Sequence, residues 1–263
     1  MRILSGMRPT GSLHVGHLKG VLEVWKKLTG EEKQNECFFL IADYHALTTD
    51  WADSKKIQKL TYDMVSDWIA AGLQSEKAII FRQSDVKEHS ELFLILSMII
   101  PLGWLERNPT YKESKNEMGE ERVGTLGFLG YPVLQAADIL LYKADMVPVG
   151  KDQLPHLEIT RDIAERFNHI FGSIFPLPKP VLSPTPKILG TDGRKMSKSY
   201  DNAIILSDDI KVNEEKIKTY MTDTARKTKK DPGDPKKCPL FTLHEAFTSQ
   251  SERKYIDEMC KSA

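Results

Sequence analysis

Ile3-Leu4-Ser5-Gly6, then Pro9-Thr10-Gly11-Ser12, then His14-Val15-Gly16-His17 stand near the start of the chain, and the way these pieces join decides the fold. Residues 3–5 form a short apolar run that stops at a glycine and enters a Pro/Thr/Gly/Ser turn, the pattern of a strand running into a loop. From Leu13 the apolar residues Leu18, Val21, Leu22, Trp25 and Leu28 follow at helical spacing. A strand, a turn and a helix in that order predict a βα unit. Working outward, residues 37–42 are a continuous apolar run without alternation, as a strand buried on both faces requires. Residues 57–73 have helical spacing, with Ser54 as candidate cap and Gly72 near the stop, and residues 78–81 read as another buried strand. Residues 88–107, 131–142 and 154–167 read as helices, and Val147-Pro148-Val149 as a strand entering Gly150. This alternation predicts an α/β fold, a Rossmann-like doubly wound parallel sheet. A helical insertion is expected at about residues 104–185. A soft boundary near residue 205 separates a first domain (1–205) from a polar, helical remainder (206–263), interrupted at Asp231-Pro232-Gly233-Asp234-Pro235.

Composition narrows the partners. Lys and Arg number 37, as do Asp and Glu, so the formal net charge is zero. That argues against a simple nucleic-acid coat but leaves room for one local patch, Arg226-Lys227-Thr228-Lys229-Lys230 with Lys236-Lys237, which is either a solvated loop or a phosphate-attracting surface. No apolar run approaches the roughly 18 residues of a membrane span, and residues 1–6 lack the apolar core of a secretion signal; the cytoplasm is the expected compartment. Three cysteines in 263 residues are too few for a disulfide scaffold. Leu92-Phe93-Leu94-Ile95-Leu96 with Met98-Ile99-Ile100 is too apolar for a solvated helix face and is either core or an interface between subunits.

Two motifs carry chemistry. His14-Val15-Gly16-His17 falls where a strand end meets a helix start, a place that offers free N–H groups and a positive dipole end to an anion. Gly16 permits close approach to the backbone, and imidazoles three positions apart share one helix face and can both donate to phosphate oxygens. Lys195-Met196-Ser197-Lys198-Ser199 follows Gly190-Thr191-Asp192-Gly193-Arg194. A glycine-bearing loop with two lysines and two hydroxyls is a cationic clamp, suited to charge that builds on a pyrophosphate leaving group. Either motif alone is compatible with a surface turn.

Together, in this order, they resemble the HIGH and KMSKS motifs of class I aminoacyl-tRNA synthetases. Residues 131–139 (Tyr-Pro-Val-Leu-Gln-Ala-Ala-Asp-Ile), 147–153 (Val-Pro-Val-Gly-Lys-Asp-Gln) and 157–164 look like the amino-acid pocket of the tyrosyl/tryptophanyl subclass. The resemblance runs from residue 2 to at least Asp223. A small-molecule adenylyltransferase would not need the lysine loop beside such a pocket, and a non-catalytic paralogue that only binds tRNA or a protein partner would have no need of Lys195 and Lys198. Within the subclass, Leu4 stands where tyrosyl enzymes carry the tyrosine that meets the substrate hydroxyl. An apolar residue there suits an indole edge and leaves a phenol short of one partner, a loss of about 1–3 kcal/mol. Residues 43–48 also look tryptophanyl. Gln135 points the other way, since many tryptophanyl enzymes have methionine there and tyrosyl enzymes have glutamine.

The resemblance to the tryptophanyl branch implies ATP-dependent formation of tryptophanyl-adenylate and transfer to tRNA(Trp), with tyrosine as the rival substrate. It implies His14, His17, Lys195 and Lys198 as catalytic residues. ATP would be held by Arg8, Pro9, Thr10, Gly16, His17, Gly150, Lys151, Asp152, Ile188, Lys195, Met196, Ser197, Lys198 and Ser199. Tryptophan would meet Asp138 through its indole N–H, with Leu4, Tyr131, Gln135, Ile139, Val147 and Val149 around it and His45 and Gln153 orienting it. Mg²⁺ is expected to arrive with ATP and bridge its phosphates, with no metal held by the protein itself, and a homodimer is the family habit. Family members run longer than this chain, so residues 206–263 read as part of a helical anticodon-binding domain, cut short. Some relatives hold an iron–sulfur cluster on four cysteines; Cys238 and Cys260 supply two, and two more would be needed beyond Ala263.

Overall fold

The computed structural model describes residues 1–30, 34–108, 111, 119–150, 153–182, 188–228 and 230–262. Among these residues five strands form, β1 Arg2–Met7, β2 Glu36–Ile41, β3 Ile79–Arg82, β4 Met146–Val149 and β5 Lys179–Leu182. They form one sheet in the order β3-β2-β1-β4-β5. Every pairing is parallel, with Leu4 opposite Phe38, Phe39 opposite Ile80, Ile3 opposite Met146 and Val147 opposite Pro180. The winding direction reverses between β1 and β4, and the carboxyl ends of strands at such a reversal are where doubly wound sheets take ligands. This is the Rossmann-like sheet expected from the alternating runs.

The helices, in chain order, are α1 Val15–His17, α2 Glu23–Leu28, α3 Asp43–Asp50, α4 Lys55–Ala70, α5 Glu88–Ser97, α6 Leu102–Glu106, α7 Glu120–Val123, α8 Leu126–Leu141, α9 Leu154–Phe171, α10 Ile210–Lys218, α11 Phe241–Phe247 and α12 Gln250–Ser262. A π turn at Leu18–Leu22 joins α1 to α2, a local widening often found at functional sites. Ser54 precedes α4 but its side chain makes no capping bond, whereas Gly72 does stop the chain, in the left-handed region at φ +92°. Pro101 divides the helical stretch at 88–107 into α5 and α6; it is extended at ψ 130° and has no N–H to continue a helix. α8 begins five residues before Tyr131 because the Thr125 hydroxyl accepts from the Phe128 N–H at 3.1 Å, a side-chain N-cap.

Two compact units emerge, Met1–Gly11 with Trp25–Leu182, and Ser12–Val24 with Ser183–Ala263. In the first, Trp25 stacks on Phe39 at 4.3 Å and meets Trp68 edge-on at 5.0 Å, tying α2 and α4 to the sheet. A second cluster joins α5, α8 and α9 through Leu96, Val133, Ala136, Ala137, Leu140, Ile163 and Ala164; the alanines let the helices approach closely. The apolar stretch at 92–100 divides. Leu92, Phe93, Leu96, Ile99 and Ile100 serve this core, while Leu94, Ile95 and Met98 remain exposed. In the second unit Ile188, Met196, Ala203, Ile204 and Tyr220 form the core, with Val15, Leu240 and Leu243 against it. Asp209 caps α10, its side chain accepting from the Lys211 N–H at 2.9 Å.

Candidate active site

In the first unit, Leu4 on β1, Ile139 on α8 and Val147 on β4 fall in one buried cluster with Leu157, and Val149 packs against it. These are the apolar residues that the sequence assigns around an amino-acid ring. Beside them lies Asp138, 2% exposed. Its Oδ2 accepts from His45 Nε2 at 2.9 Å; its Oδ1 accepts from Gln83 Nε2 at 2.7 Å and from His89 Nδ1 at 2.7 Å. Burial alone would raise the carboxyl's pKa, but the hydrogen bonds and positive ends offered by His45 and His89 outweigh it and hold the group below its ordinary value. Asp138 is therefore an ionised acceptor held by three side-chain donors. Tyr131 and Gln153 converge on His156: the tyrosine hydroxyl is 2.6 Å from Nε2 and Gln153 Oε1 is 2.9 Å from Nδ1. Gln135 is half-buried on the same helix.

In the second unit, the two histidines of the first motif lock each other. His14 Nδ1 accepts from the Gly16 N–H at 3.1 Å, and the His14 N–H donates to His17 Nδ1 at 3.2 Å. The rings lie 3.9 Å apart. Because both Nδ1 atoms accept, the proton of each neutral ring sits on Nε2, ready to donate. Burial first, and then the neighbouring charges, keep them neutral: His14 is lowered to about 4 by burial, Lys198 and Lys195, and His17 to about 3 by burial, His14 and the same lysines. Gly16 has no room for a side chain, since a Cβ would lie 2.9 Å from the His14 ring.

The lysine loop is a tight hairpin. Leu189 bridges Lys195, the Gly190 N–H donates to Arg194 O at 2.7 Å, and Gly193 turns at φ +79°. One buried amide holds it. Asn202, 1% exposed, accepts from the Ser197 N–H at 2.7 Å and donates to Asp192 Oδ1 at 2.7 Å and Lys195 O at 3.3 Å. That amide, before Arg194, holds Asp192 down to about 2. A Cβ on Gly190 would lie 2.3 Å from the Asn202 amide, so this glycine is a packing requirement. An antiparallel bridge between His14 and Ile205, with the Val15 N–H on Ile204 O at 3.0 Å, ties the histidine motif to the segment that follows the loop. The two motifs, about 180 residues apart in sequence, thus share one compact unit.

Other expected ATP contacts are placed as follows. Arg8 and Thr10 are exposed and Pro9 is buried just past β1, and Gly150 is exposed at the end of β4. Ile188 and Met196 are core residues of the second unit. Ser199 lies in a 3-10 turn at Lys198–Tyr200. Lys151 and Asp152 lie outside the described residues. Gln83, His89, Tyr142, His156 and Asn202 escaped the sequence reading. The signals were faint: Tyr142 stands one helical turn after Asp138, and Asn202 three residues after the lysine loop.

The chain is similar to known proteins in sequence and in fold. The family model described as tRNA synthetases class I (W and Y) matches residues 1–263. A tryptophan–tRNA ligase of Thermotoga maritima is 54% identical over 264 residues, which span all of this chain and 80% of that protein. One from Aquifex aeolicus is 43% identical over 332 residues, 100% of this chain and 83% of the relative. The crystal structure of tryptophanyl-tRNA synthetase from Campylobacter jejuni complexed with ADP and tryptophan superposes with a TM-score of 0.86 at 36% identity, covering all of this chain and 80% of that one. A tyrosyl-tRNA synthetase from Archaeoglobus fulgidus, 21% identical with a TM-score of 0.70, shares the fold alone. On the full-length match of the family model and the 54% identity, this chain belongs to the class I tRNA synthetases of the tryptophan and tyrosine group.

Proposed function

We propose that the chain is a tryptophan–tRNA ligase: it activates L-tryptophan with ATP to tryptophanyl-adenylate and pyrophosphate, then transfers the tryptophanyl group to tRNA(Trp). The observation that carries the choice of amino acid is the 54% identity, across the whole chain, to a tryptophan–tRNA ligase. Gln135, the one residue of tyrosyl type, does not outweigh it.

The residue roles follow from the chemistry. The carboxylate of tryptophan attacks the α-phosphorus of ATP, the α-phosphorus–oxygen bond to the leaving group breaks, and pyrophosphate departs with the electron pair. Such a reaction needs position and charge more than covalent catalysis. Asp138 accepts the indole N–H, and Leu4, Ile139, Val147 and Val149 wall the ring; Tyr131, His45 and Gln153 orient the amino acid. His14 and His17, fixed as neutral Nε2–H donors, and the ammonium groups of Lys195 and Lys198 act on the phosphates as charge leaves the α-phosphorus. Arg8, Thr10, Gly150 and the loop backbone contact the rest of the nucleotide.

Magnesium would enter with the nucleotide substrate and would neutralise charge on its phosphates. A resident cluster fits less well. Cys238 and Cys260 line one cavity of about 370 Å³ with Leu240, Phe241 and Met259, but among the described residues no three His, Cys, Asp or Glu side chains gather as metal ligands. Residues 206–263, with exposed Lys227, Lys230, Lys236 and Lys237, serve tRNA phosphates in this reading, residues 1–205 serve catalysis, and the exposed Leu94 and Ile95 of α5 with Met98 just past its end are the face of a homodimer. Among the described residues no helix is long and apolar enough to cross a membrane; the cytoplasm is the compartment that goes with this reading. Pyrophosphate exchange into ATP with each of the twenty amino acids tests the whole reading: exchange with tryptophan alone supports it, and exchange driven by tyrosine refutes it.

A further inference from the structure

Asp138 has an outer layer that settles which way its hydrogen bonds run. Gln83 Oε1 accepts from the Tyr44 backbone N–H at 3.1 Å. The amide orientation is thereby fixed, and Nε2 is the atom that donates to Asp138. His89, fully buried, has Nε2 2.9 Å from the Tyr142 hydroxyl. The Asp138 carboxylate can only accept, so His89 carries its proton on Nδ1, aimed at Oδ1. In that neutral tautomer Nε2 accepts from the Tyr142 hydroxyl. Two donors fill Oδ1, while His45 supplies one to Oδ2. An ionised carboxylate has about four lone-pair sites, and the fourth, on Oδ2, remains.

We propose that His89 and Gln83 are positioning residues for amino-acid specificity: by filling Oδ1 they hold Asp138 in one rotamer with a single Oδ2 lone pair left for the indole N–H. This rests on the reading of Asp138 as the indole's partner. Among the described residues the donors to the carboxylate are His45, Gln83 and His89, so at this point the site offers a ligand an acceptor. A substrate with an N–H at that point pairs; a substrate with an acceptor or a bare ring atom there leaves a buried charge without its fourth bond. Sites built to pair a buried group reject analogues that lack it far better than apolar slots reject a change of size. Without His89, Asp138 loses both a hydrogen bond and its fixed orientation, and the discrimination falls even though Asp138 is still present.

The probe is benzothienylalanine, which replaces the indole N–H with sulfur at nearly constant shape. Dissociation constants for tryptophan and for this analogue are measured by calorimetry on the intact chain, with the KM for ATP in pyrophosphate exchange as a second readout. His89→Leu is expected to lower the preference for tryptophan over the analogue at least tenfold and leave the KM for ATP within twofold. His89→Asn, whose amide can place a donor where Nδ1 was, is expected to recover most of the preference. If His89→Leu does not fold, Gln83→Met tests the same point and is expected to lower the same ratio. A folded His89→Leu or Gln83→Met protein with the wild-type ratio overturns the inference, as does His89→Asn performing no better than His89→Leu, which would make the role one of packing. Asp138→Ala separates the two levels. If it lowers the ratio while the His89 and Gln83 variants do not, only the positioning role falls; if it leaves the ratio unchanged, the indole meets another residue and both fall.

Discussion

Asn202→Ala isolates the part of the lysine loop that is architecture. The Asn202 side chain is buried and makes three bonds into the loop, at Ser197 N, Asp192 Oδ1 and Lys195 O. Truncation leaves the Ser197 N–H and the Lys195 carbonyl without this partner. Orphaning a buried donor or acceptor costs about 1–3 kcal/mol, and because the Ser197 backbone is half-buried and Lys195 exposed, water recovers part of it. About 2 kcal/mol is a fair figure for the loss of the loop's catalytic geometry, and it corresponds to roughly a thirtyfold fall in kcat/KM for ATP. The assay is pyrophosphate exchange at varied ATP, with tryptophan affinity from calorimetry as control; the Asp138 pocket lies in the other compact unit and its affinity should stay within twofold. Asn202→Asp sharpens the test. It keeps an acceptor for Ser197 but sets a second carboxylate against Asp192, so it should do no better than alanine. Wild-type kinetics in Asn202→Ala, or rescue by aspartate, would refute the reasoning.

Lys198→Ala should slow adenylate formation by well over tenfold, more than about 1.4 kcal/mol, with little change in tryptophan affinity; a large loss of tryptophan binding at an unchanged single-turnover rate would put the lysine in the wrong role. His14 and His17 titrate near 4 and 3 in the folded chain, against an ordinary histidine value of 6.5. Between those values the unfolded chain binds protons that the folded chain refuses, so stability rises with pH across that window and is lost on acidification from about 6.5 toward 3. Urea melts at pH 7.5 and 4.5 should show this drop, and a His14→Asn/His17→Asn protein with the same drop would exclude these histidines as its source. Gly6→Ala places a Cβ 2.8 Å from the Leu40 carbonyl oxygen of the neighbouring strand, an overpacking worth about 1–3 kcal/mol, and should lower Tm by about 5 °C. Lys227→Ala with Lys236→Ala should weaken tRNA binding and make its salt dependence shallower while pyrophosphate exchange is unchanged; an unaltered salt slope would remove this loop from the tRNA contact.

The sheet and its winding were legible in residues 3–5, 37–42, 78–81 and 147–149, because strands covered on both faces leave uninterrupted apolar runs. β5 was not. Lys179-Pro180-Val181-Leu182 carries a proline and a lysine, which argue against a central strand and say nothing against an edge. The start of α8 was hidden by Gly127 and Gly130, which weaken a helical pattern, while its real signal was the Thr125 cap. Within the site, Asp138 could be read off its motif. His89 and Gln83 could not, since they reach it from 49 and 55 residues away and neither belongs to a local pattern. The same holds for the pairing of the two motifs, which depends on a bridge between His14 and Ile205 that no local spacing announces.

The proline in β5 has a consequence for the protein in concentrated solution. The sheet ends on one side at β5, and a bare strand edge is a template on which another chain can lay a further strand. Pro180 pairs with Val147 across the inner side of that edge and has no N–H to present on the outer side. An incoming strand would meet a missing donor next to the cationic Lys179. The edge is thereby closed to growth by its own covalent chemistry, and the substitution to watch for precipitation during expression is the conservative one, Pro180→Val.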